Sequence, residues 1–185
     1  MQREWRVAVL GSAGLGPDDP AWKVAEEMGR RLAKAGFTVV TGGYGGLMAA
    51  VSRGASEVGG HVVGLPMTAW THLQPNEWNQ ELLWADGYPE RLRQLLSCEA
   101  VIALDGGVGT LSELAVVWSA CQTEEGAPLL LAIGERWSRL VRVLGEELVV
   151  SKHDLDLVRL VPTPAAAVAL LLGPTLGPQD AQAYG

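Results

Sequence analysis

The sequence predicts an α/β domain of the Rossmann-like, doubly wound kind, a parallel sheet with helices on both faces. Three observations predict it: short apolar runs alternate with helix-forming segments along the chain, the strand segments are continuously apolar, and glycine clusters directly follow three of them. The chain of 185 residues suits one domain. We expect that domain to be a nucleotide-binding unit over residues 1–172, followed by a disordered tail over residues 173–185.

Runs of β-branched and apolar residues mark the strands, and the amphipathic or apolar segments between them mark the helices. Strands are expected over residues 7–10, 37–41, 61–65, 82–84, 100–104, 128–133 and 157–161. Helices are expected over residues 20–35, 47–58, 89–97, 110–122, 137–148 and 164–172. Asp19 before Pro20 predicts an N-cap and a first helical residue, and Gly36 predicts the end of that helix. Residues 68–79 contain two tryptophans and a proline, and we expect an irregular lid or interface there.

Composition and charge exclude several classes of protein. The formal net charge of −7, with no basic face visible, argues against nucleic-acid binding. Cys98 and Cys121 lack CxxC spacing and a histidine cluster, so we expect buried thiols and neither a disulfide framework nor a metal site. The N-terminus has no apolar signal core, and the apolar run at residues 165–172 is too short to span a bilayer. We therefore expect a cytoplasmic protein that binds no membrane.

The glycine clusters are expected to meet at one edge of the sheet. They follow three predicted strands, at residues 11–16, 42–46 and 106–109. In a doubly wound sheet the first strand pairs with the first strand of the second half, and ligands bind beyond the carboxyl ends of these two strands. If residues 7–10 and 100–104 are those strands, Ser12 and residues 106–110 face one crevice.

The third glycine cluster is the sharpest functional signal. Gly106, Gly107 and Gly109 carry no Cβ, so the backbone can approach a ligand closely. The helix predicted directly after them would direct free N–H groups and the positive end of its dipole at the crevice, which is typical of a phosphate site. Turn chemistry and close packing are the alternative interpretation of each cluster, and for residues 42–46 both stay open.

Two common nucleotide motifs are missing from these loops. The third loop lacks the lysine that follows the last glycine of a P-loop. The first loop is not GxGxxG in the right order, and no acidic residue ends the second strand to hold a ribose hydroxyl. The sequence therefore argues against a nicotinamide-dependent dehydrogenase.

Glu113 has two interpretations. Thr110, Leu111, Ser112 and Glu113 fit a capping box, in which Glu113 would accept a hydrogen bond from the Thr110 amide. Alternatively, Glu113 is a carboxylate one turn into the helix beside the phosphate loop. There it could stabilise a cationic sugar in the transition state or activate water.

The three loops together resemble those of the LOG (Lonely Guy) family, often labelled "possible lysine decarboxylase", over roughly residues 7–161. The resemblance is carried by Gly11-Ser12, by GGYGGLM at residues 42–48, and by GGVGTLSE at residues 106–113. The last matches the family's PGGxGTxxE from its second residue, and Asp105 stands where the family has proline.

The resemblance implies a phosphoribohydrolase that cuts a nucleoside 5′-monophosphate, AMP or a cytokinin ribotide, to base and ribose 5-phosphate. It implies a homodimer and no metal or organic cofactor. Glu113 would be catalytic, with Arg91 as its partner and Arg93 as the second choice, because an Arg-Leu-Arg triplet replaces the family's Arg-Lys pair. Topology and resemblance together assign nine ligand contacts: Ser12, Gly43, Gly46, Met48, Gly106, Gly107, Val108, Gly109 and Thr110.

Particular residues also argue for or against other functions and indicate the oligomeric state. A pyridoxal phosphate decarboxylase needs a Schiff-base lysine, and Lys23, Lys34 and Lys152 are all expected away from the glycine loops. The rival is a non-catalytic nucleotide or cofactor carrier on the same scaffold, which Asp105 favours slightly and Glu113 disfavours. The helix at residues 110–122 is apolar nearly all round, which independently predicts a homodimer.

Overall fold

The computed structural model describes residues 5–173, which fold into seven strands and seven helices. The strands are β1 (Arg6–Leu10), β2 (Thr38–Thr41), β3 (Val62–Gly64), β4 (Glu81–Leu82), β5 (Ala100–Ala103), β6 (Leu129–Ile133) and β7 (Val158–Val161). The helices are α1 (Pro20–Lys34), α2 (Leu47–Ser56), α3 (Tyr88–Leu96), α4 (Val108–Thr123), α5 (Glu135–Glu147), α6 (Lys152–Asp156) and α7 (Pro164–Leu172).

The strands form one parallel sheet in the order β4-β3-β2-β1-β5-β6-β7. Strand β1 lies between β2 and β5, with Val9 level with Thr41 and Leu10 level with Ala103. The carboxyl ends of these three strands therefore reach the same edge of the sheet. This arrangement confirms the predicted Rossmann-like α/β fold, with the topological switch point between β1 and β5.

Helices cover both faces of the sheet. Alternate residues of each strand point to opposite sides, so each strand contributes apolar side chains to both layers. Val7 and Val9 join the core cluster beneath α1, α2 and α7. Ala8 and Leu10 join the second cluster, which includes residues of α3, α4 and α5. Fully burying one valine or leucine side chain contributes about 1.5–3 kcal/mol, so two apolar layers of this kind hold the sheet in place.

The predicted signals at the ends of α1 are confirmed. Asp19 Oδ1 accepts a hydrogen bond from the Ala21 amide at 2.8 Å, and Pro20 is the first helical residue. Gly36 follows the last turn with a φ of 85°, a left-handed conformation that glycine adopts without steric cost.

Several predicted boundaries differ from the structure. Helix α2 ends at Ser56 rather than residue 58, because Gly59 closes a turn there with a φ of 78°. Strand β4 begins at Glu81, and the chain beyond it stays beside the end of β3 as far as Ala85. Helix α6 was not predicted, although Ser151 caps it with a capping box. The predicted disordered tail lies, apart from Gly173, outside the described residues.

No helix between residues 5 and 173 has the length and apolar character needed to cross a membrane.

Candidate active site

The three glycine loops meet at Ser12. The Ser12 amide donates to the Asp105 carbonyl at 3.0 Å, and the Ser12 carbonyl accepts from the Leu47 amide at 2.8 Å. The Ser12 hydroxyl accepts from the Gly14 amide at 3.1 Å. Ser12 therefore joins the end of β1 to the first residue of α2 and to the loop after β5. This is the crevice expected from the strand order.

The loop after β5 is open to solvent on the side of the crevice. Gly107 is the N-cap of α4, and the positions where Gly107 and Gly109 would carry a Cβ have no other atom within 4 Å. Gly106 differs, because a Cβ there would overlap the buried side chain of Thr110. Val108 is 83% exposed. The first amides of α4 are thus accessible to an anion, as helix N-termini generally are.

The capping-box interpretation of Glu113 is wrong. Helix α4 begins at Val108, two residues before the predicted start, so Thr110 already lies inside the first turn and Glu113 lies in the second. Gly107, the actual N-cap, has no side chain to accept a hydrogen bond. Glu113 Oε1 instead accepts a hydrogen bond from Arg91 Nε at 3.0 Å.

Arg91 pairs with Glu113 in the structure. The side chains of Arg91 and Glu113 are only 7% and 12% exposed. Arg91 Nη1 donates to the carbonyls of Leu65 and, at 3.4 Å, of Gly42. Arg93, the second candidate, lies on the same helix with its side chain exposed to solvent. Helix α3 therefore presents Arg91 inward, below the crevice.

The glycine-rich second loop makes room for this guanidinium. A Cβ on Gly42 would lie 2.6 Å from Arg91 Nη2 and would also overlap the sulfur of Met48. Gly46 has a φ of 65° and packs against the backbone of Ser12. Close packing thus accounts for these two glycines, whereas the assignment of ligand contacts to Gly43, Gly46 and Met48 stays a prediction. Of these three, Gly43 and Met48 are buried beneath the loops.

Residues 68–79 contain side chains of the site that the sequence analysis missed. Asn76 Nδ2 donates to the carbonyls of Gly43 at 3.1 Å and Tyr44 at 2.8 Å, and Asn79 Nδ2 donates to Gly43 at 3.0 Å. Trp70 lies over Arg91, with Arg91 Cζ 5.6 Å from the ring centroid. The place of this segment in the chain could have indicated these residues, because it follows β3 at the edge of the sheet where the glycine loops lie.

A recess lies at this edge between the sheet and the pair formed by Arg91 and Glu113. The lining residues come from five segments of the chain: Ala8, Val9, Leu10, Val40, Thr41, Gly42, Leu65, Arg91, Leu95 and Glu113. Most of its lining side chains are apolar; Thr41, Arg91 and Glu113 are the polar ones. The Glu113 side chain is only 12% exposed, so charge interactions at this carboxylate are stronger than in water.

Asp105, which stands where the family has proline, directs its carboxylate toward the end of β6. Its Oδ2 lies 3.7 Å from Arg136 Nη1, and a Cβ on Gly134 would lie 3.9 Å from Oδ1. The Asp105 side chain is 27% exposed and that of Arg136 is 71% exposed. Arg136 therefore screens part of the negative charge beside the loop that follows β5.

The lysines lie away from the crevice, as the sequence analysis expected. Lys23 and Lys34 are exposed on α1. Lys152 lies on α6, and its Nζ pairs with Asp156 at 2.9 Å. None of the three is placed to form a Schiff base at the glycine loops.

Both cysteines are free thiols; Cys98 is buried as predicted, whereas Cys121 is only partly buried. Burial raises the pKa of Cys98 to about 12, and it raises that of Cys121 to about 11. Among residues 5–173, no three histidine, cysteine or acidic side chains converge in a way that could hold a metal ion.

Comparison with known proteins places this geometry in a family. The model of the SLOG cluster4 family matches residues 4–124. A cytokinin riboside 5′-monophosphate phosphoribohydrolase of Mycobacterium tuberculosis is 35% identical over 121 residues, 63% of this chain and 63% of that protein. A probable enzyme of the same name from Oryza sativa subsp. japonica is 29% identical over 171 residues, 86% of this chain and 67% of that protein.

Solved structures share the fold at low sequence identity. The molybdenum cofactor binding protein of Rippkaea orientalis has a TM-score of 0.73 at 22% identity, with 92% of this chain and 97% of that chain covered. The molybdenum cofactor carrier protein of Chlamydomonas reinhardtii has a TM-score of 0.69 at 20% identity, with coverage of 91% and 96%. The family model spans the three glycine loops and both Arg91 and Glu113. The chain belongs to the SLOG cluster4 family of LOG-type proteins.

Proposed function

We propose that this chain hydrolyses the N-glycosidic bond of a nucleoside 5′-monophosphate, AMP or a cytokinin ribotide, and releases the base and ribose 5-phosphate. One observation carries the proposal: the buried carboxylate of Glu113, held by Arg91, lies in the second turn of the helix whose first amides open onto the crevice. Phosphate on those amides would bring the sugar of the same nucleotide close to that carboxylate.

The reaction balances with water as the only co-reactant. Water adds to C1′ of the ribose, the bond from C1′ to the base nitrogen breaks with its electron pair going to the base, and a proton from water ends on the base. Positive charge develops on the ribose as the bond breaks, and the Glu113 carboxylate stabilises it. The same carboxylate can accept the proton of the attacking water.

Arg91 lies below the crevice, where it can hold the Glu113 carboxylate during the proposed reaction. Its guanidinium is engaged by Glu113 and by the carbonyls of Leu65 and Gly42. We therefore assign it to holding the carboxylate, and we assign the phosphate to the amides of residues 107–110. Relatives with this activity in their names support the same substrate class.

Incubation with AMP, followed by chromatography for free adenine, tests the proposal. Glu113→Gln should abolish release of adenine, since a neutral amide cannot stabilise a sugar cation, and losses of this kind commonly reach a hundredfold or more. The variant should still bind AMP, because the loop amides remain. A wild-type chain that binds AMP and releases no adenine would overturn the proposal.

Arg91 and Arg93 form a matched pair on α3. Arg91→Lys keeps the charge but loses the planar fork that reaches both the carboxylate and the carbonyls, and turnover should fall strongly. Arg93→Lys changes an exposed side chain on the same helix and should leave turnover unchanged. The reverse result would move the catalytic assignment to Arg93.

A non-catalytic carrier is the second candidate function. Asp105 favours it, because a carboxylate beside the loop opposes tight binding of a small phosphate. Two solved structures of similar fold, named as molybdenum cofactor binding and carrier proteins, support this alternative. Binding of AMP without turnover, retained in Glu113→Gln, would favour this function.

We also propose that two copies pair through α4 in the cytoplasm. Val108 and Ala115 are exposed on this helix, and Val116 and Trp118 are only half-buried. Such an apolar surface is typical of an interface, and free cysteines suit a reducing compartment. Light scattering at micromolar concentration should give a dimer, and Ala115→Arg should give a monomer. A wild-type monomer would contradict the pairing.

A further inference from the structure

The indole of Trp70 lies over the guanidinium of Arg91, at 5.6 Å from ring centroid to Cζ. We propose that Trp70 is a positioning residue. It packs against Arg91, keeps water from the pair formed with Glu113, and so fixes the carboxylate that faces the ribose in the proposed reaction. This inference rests on the proposed hydrolysis for its effect on turnover, but its structural part can be tested without it.

The segment that carries Trp70 is fastened to the second glycine loop on both sides of the indole. Before it, the Met67 amide donates to the Tyr44 hydroxyl at 2.8 Å. After it, Asn76 Nδ2 donates to the carbonyls of Gly43 and Tyr44, at 3.1 and 2.8 Å. The rings of Tyr44 and Trp70 also pack together, with centroids 5.8 Å apart. The indole is therefore held at a defined place over Arg91.

The contacts of Arg91 come from different directions. Nε donates along one edge to Glu113 at 3.0 Å, and Nη1 donates to the carbonyls of Leu65 and Gly42. The fourth contact is with Trp70, because Arg91 Cζ lies over the face of the indole at 5.6 Å from the ring centroid. An aromatic ring attracts a guanidinium most strongly where water is excluded. Trp70 is half-buried and the Arg91 side chain is only 7% exposed, which is consistent with the indole lying between Arg91 and solvent.

This geometry predicts an effect on kcat rather than on KM. Without the indole, water can reach the guanidinium and compete for its hydrogen bond to Glu113. The carboxylate then loses its fixed position, which matters in the transition state more than in substrate binding. Trp70→Ala should lower kcat roughly tenfold with little change in KM.

Trp70→Phe and Trp78→Phe serve as the conservative variant and the matched control. Phenylalanine keeps an aromatic face, so Trp70→Phe should recover much of the lost kcat. Trp78 is a half-buried tryptophan of the same irregular segment that packs against the core cluster under α1 and α2. Trp78→Phe should leave kcat unchanged. A raised KM at normal kcat in Trp70→Ala would make Trp70 a substrate contact and would overturn the positioning role.

The exchange of the Arg91 Nε proton with solvent tests the same idea without substrate. Its NMR signal is identified by its loss in Arg91→Lys. Exchange should be slow in the wild type and in Trp78→Phe, and roughly tenfold or more faster in Trp70→Ala at the same fold, judged by circular dichroism. Unchanged exchange in Trp70→Ala would refute the inference. If the wild type releases no adenine, the proposed hydrolysis fails, and this measurement alone decides the positioning of Arg91.

Discussion

Gly42→Ala is the sharpest test of how the second glycine loop serves Arg91. Gly42 does not have a left-handed backbone, so alanine can adopt its conformation without strain. The added Cβ would lie 2.6 Å from Arg91 Nη2, whereas ordinary contact begins near 3.4 Å. The guanidinium must therefore retreat by about 0.8 Å, or the loop must move by the same amount.

That displacement is large on the scale of the site. Arg91 Nε lies 3.0 Å from Glu113 Oε1, so a shift of about 0.8 Å directed away from Glu113 would take the pair out of hydrogen-bond range. Misplacement of a catalytic group by about 1 Å can cost on the order of a hundredfold in rate. We expect kcat for AMP to fall ten- to a hundredfold, and the free energy of unfolding to fall by about 1–3 kcal/mol.

Steady-state release of adenine and thermal unfolding measure the two effects. Gly45→Ala is the matched control, because Gly45 belongs to the same loop and its Cβ would meet no other atom within 4 Å. The control should keep both turnover and melting temperature. Normal turnover in Gly42→Ala would show that the placement of Arg91 by this loop is irrelevant to the reaction.

Gly107→Ala should raise the KM for AMP severalfold at unchanged melting temperature, because its Cβ meets no atom within 4 Å and enters the proposed phosphate space; an unchanged KM would place the phosphate elsewhere. Asp105→Asn should lower the KM for AMP about two- to tenfold, because it removes a negative charge beside the proposed phosphate site. An unchanged or higher KM in steady-state kinetics would contradict this. Cys98 and Cys121 should react slowly with a thiol reagent near pH 8, because burial raises the pKa of Cys98 to about 12 and of Cys121 to about 11. In the unfolded chain these thiols ionise at a lower pH than in the folded chain, so the free energy of unfolding of the wild type should fall as the pH rises above about 9. The fall should be smaller in Cys98→Ala.

The fold was predictable because its signals are local. Continuous apolar runs mark strands that are covered on both faces, and Asp19, Pro20 and Gly36 mark the ends of α1. The start of α4 was predicted two residues late, since the sequence offers Thr110 as a capping residue, whereas Gly107 caps the helix through its backbone alone. Helix α6 was not predicted, because a segment of five residues is too short to show helical periodicity.

Only those residues of the candidate site that belong to a recognisable sequence motif could be predicted from the sequence. Glu113 and the glycines stand in one run, and their place at the end of β5 follows from strand order. Trp70 and Asn76 stand in a segment without periodicity, so only the folded chain brings them to Arg91 and Tyr44. Likewise, Arg91 and Arg93 both fit a helix before the loop, and the register of α3 decides which one is buried.

The pairing of Arg91 with Glu113 is better explained by chemistry than by stability. Removing two charges from water costs several kcal/mol per ion, and well-packed apolar residues in such places are often equally or more stabilising. This chain keeps the charges and surrounds Arg91 with the Leu65 carbonyl, the Gly42 carbonyl and the Trp70 indole. All of these groups lie at the carboxyl edge of the sheet, beside the open amides of α4. A protein that needed only a stable core could place leucines there, whereas the hydrolysis proposed above requires a carboxylate held in a fixed position.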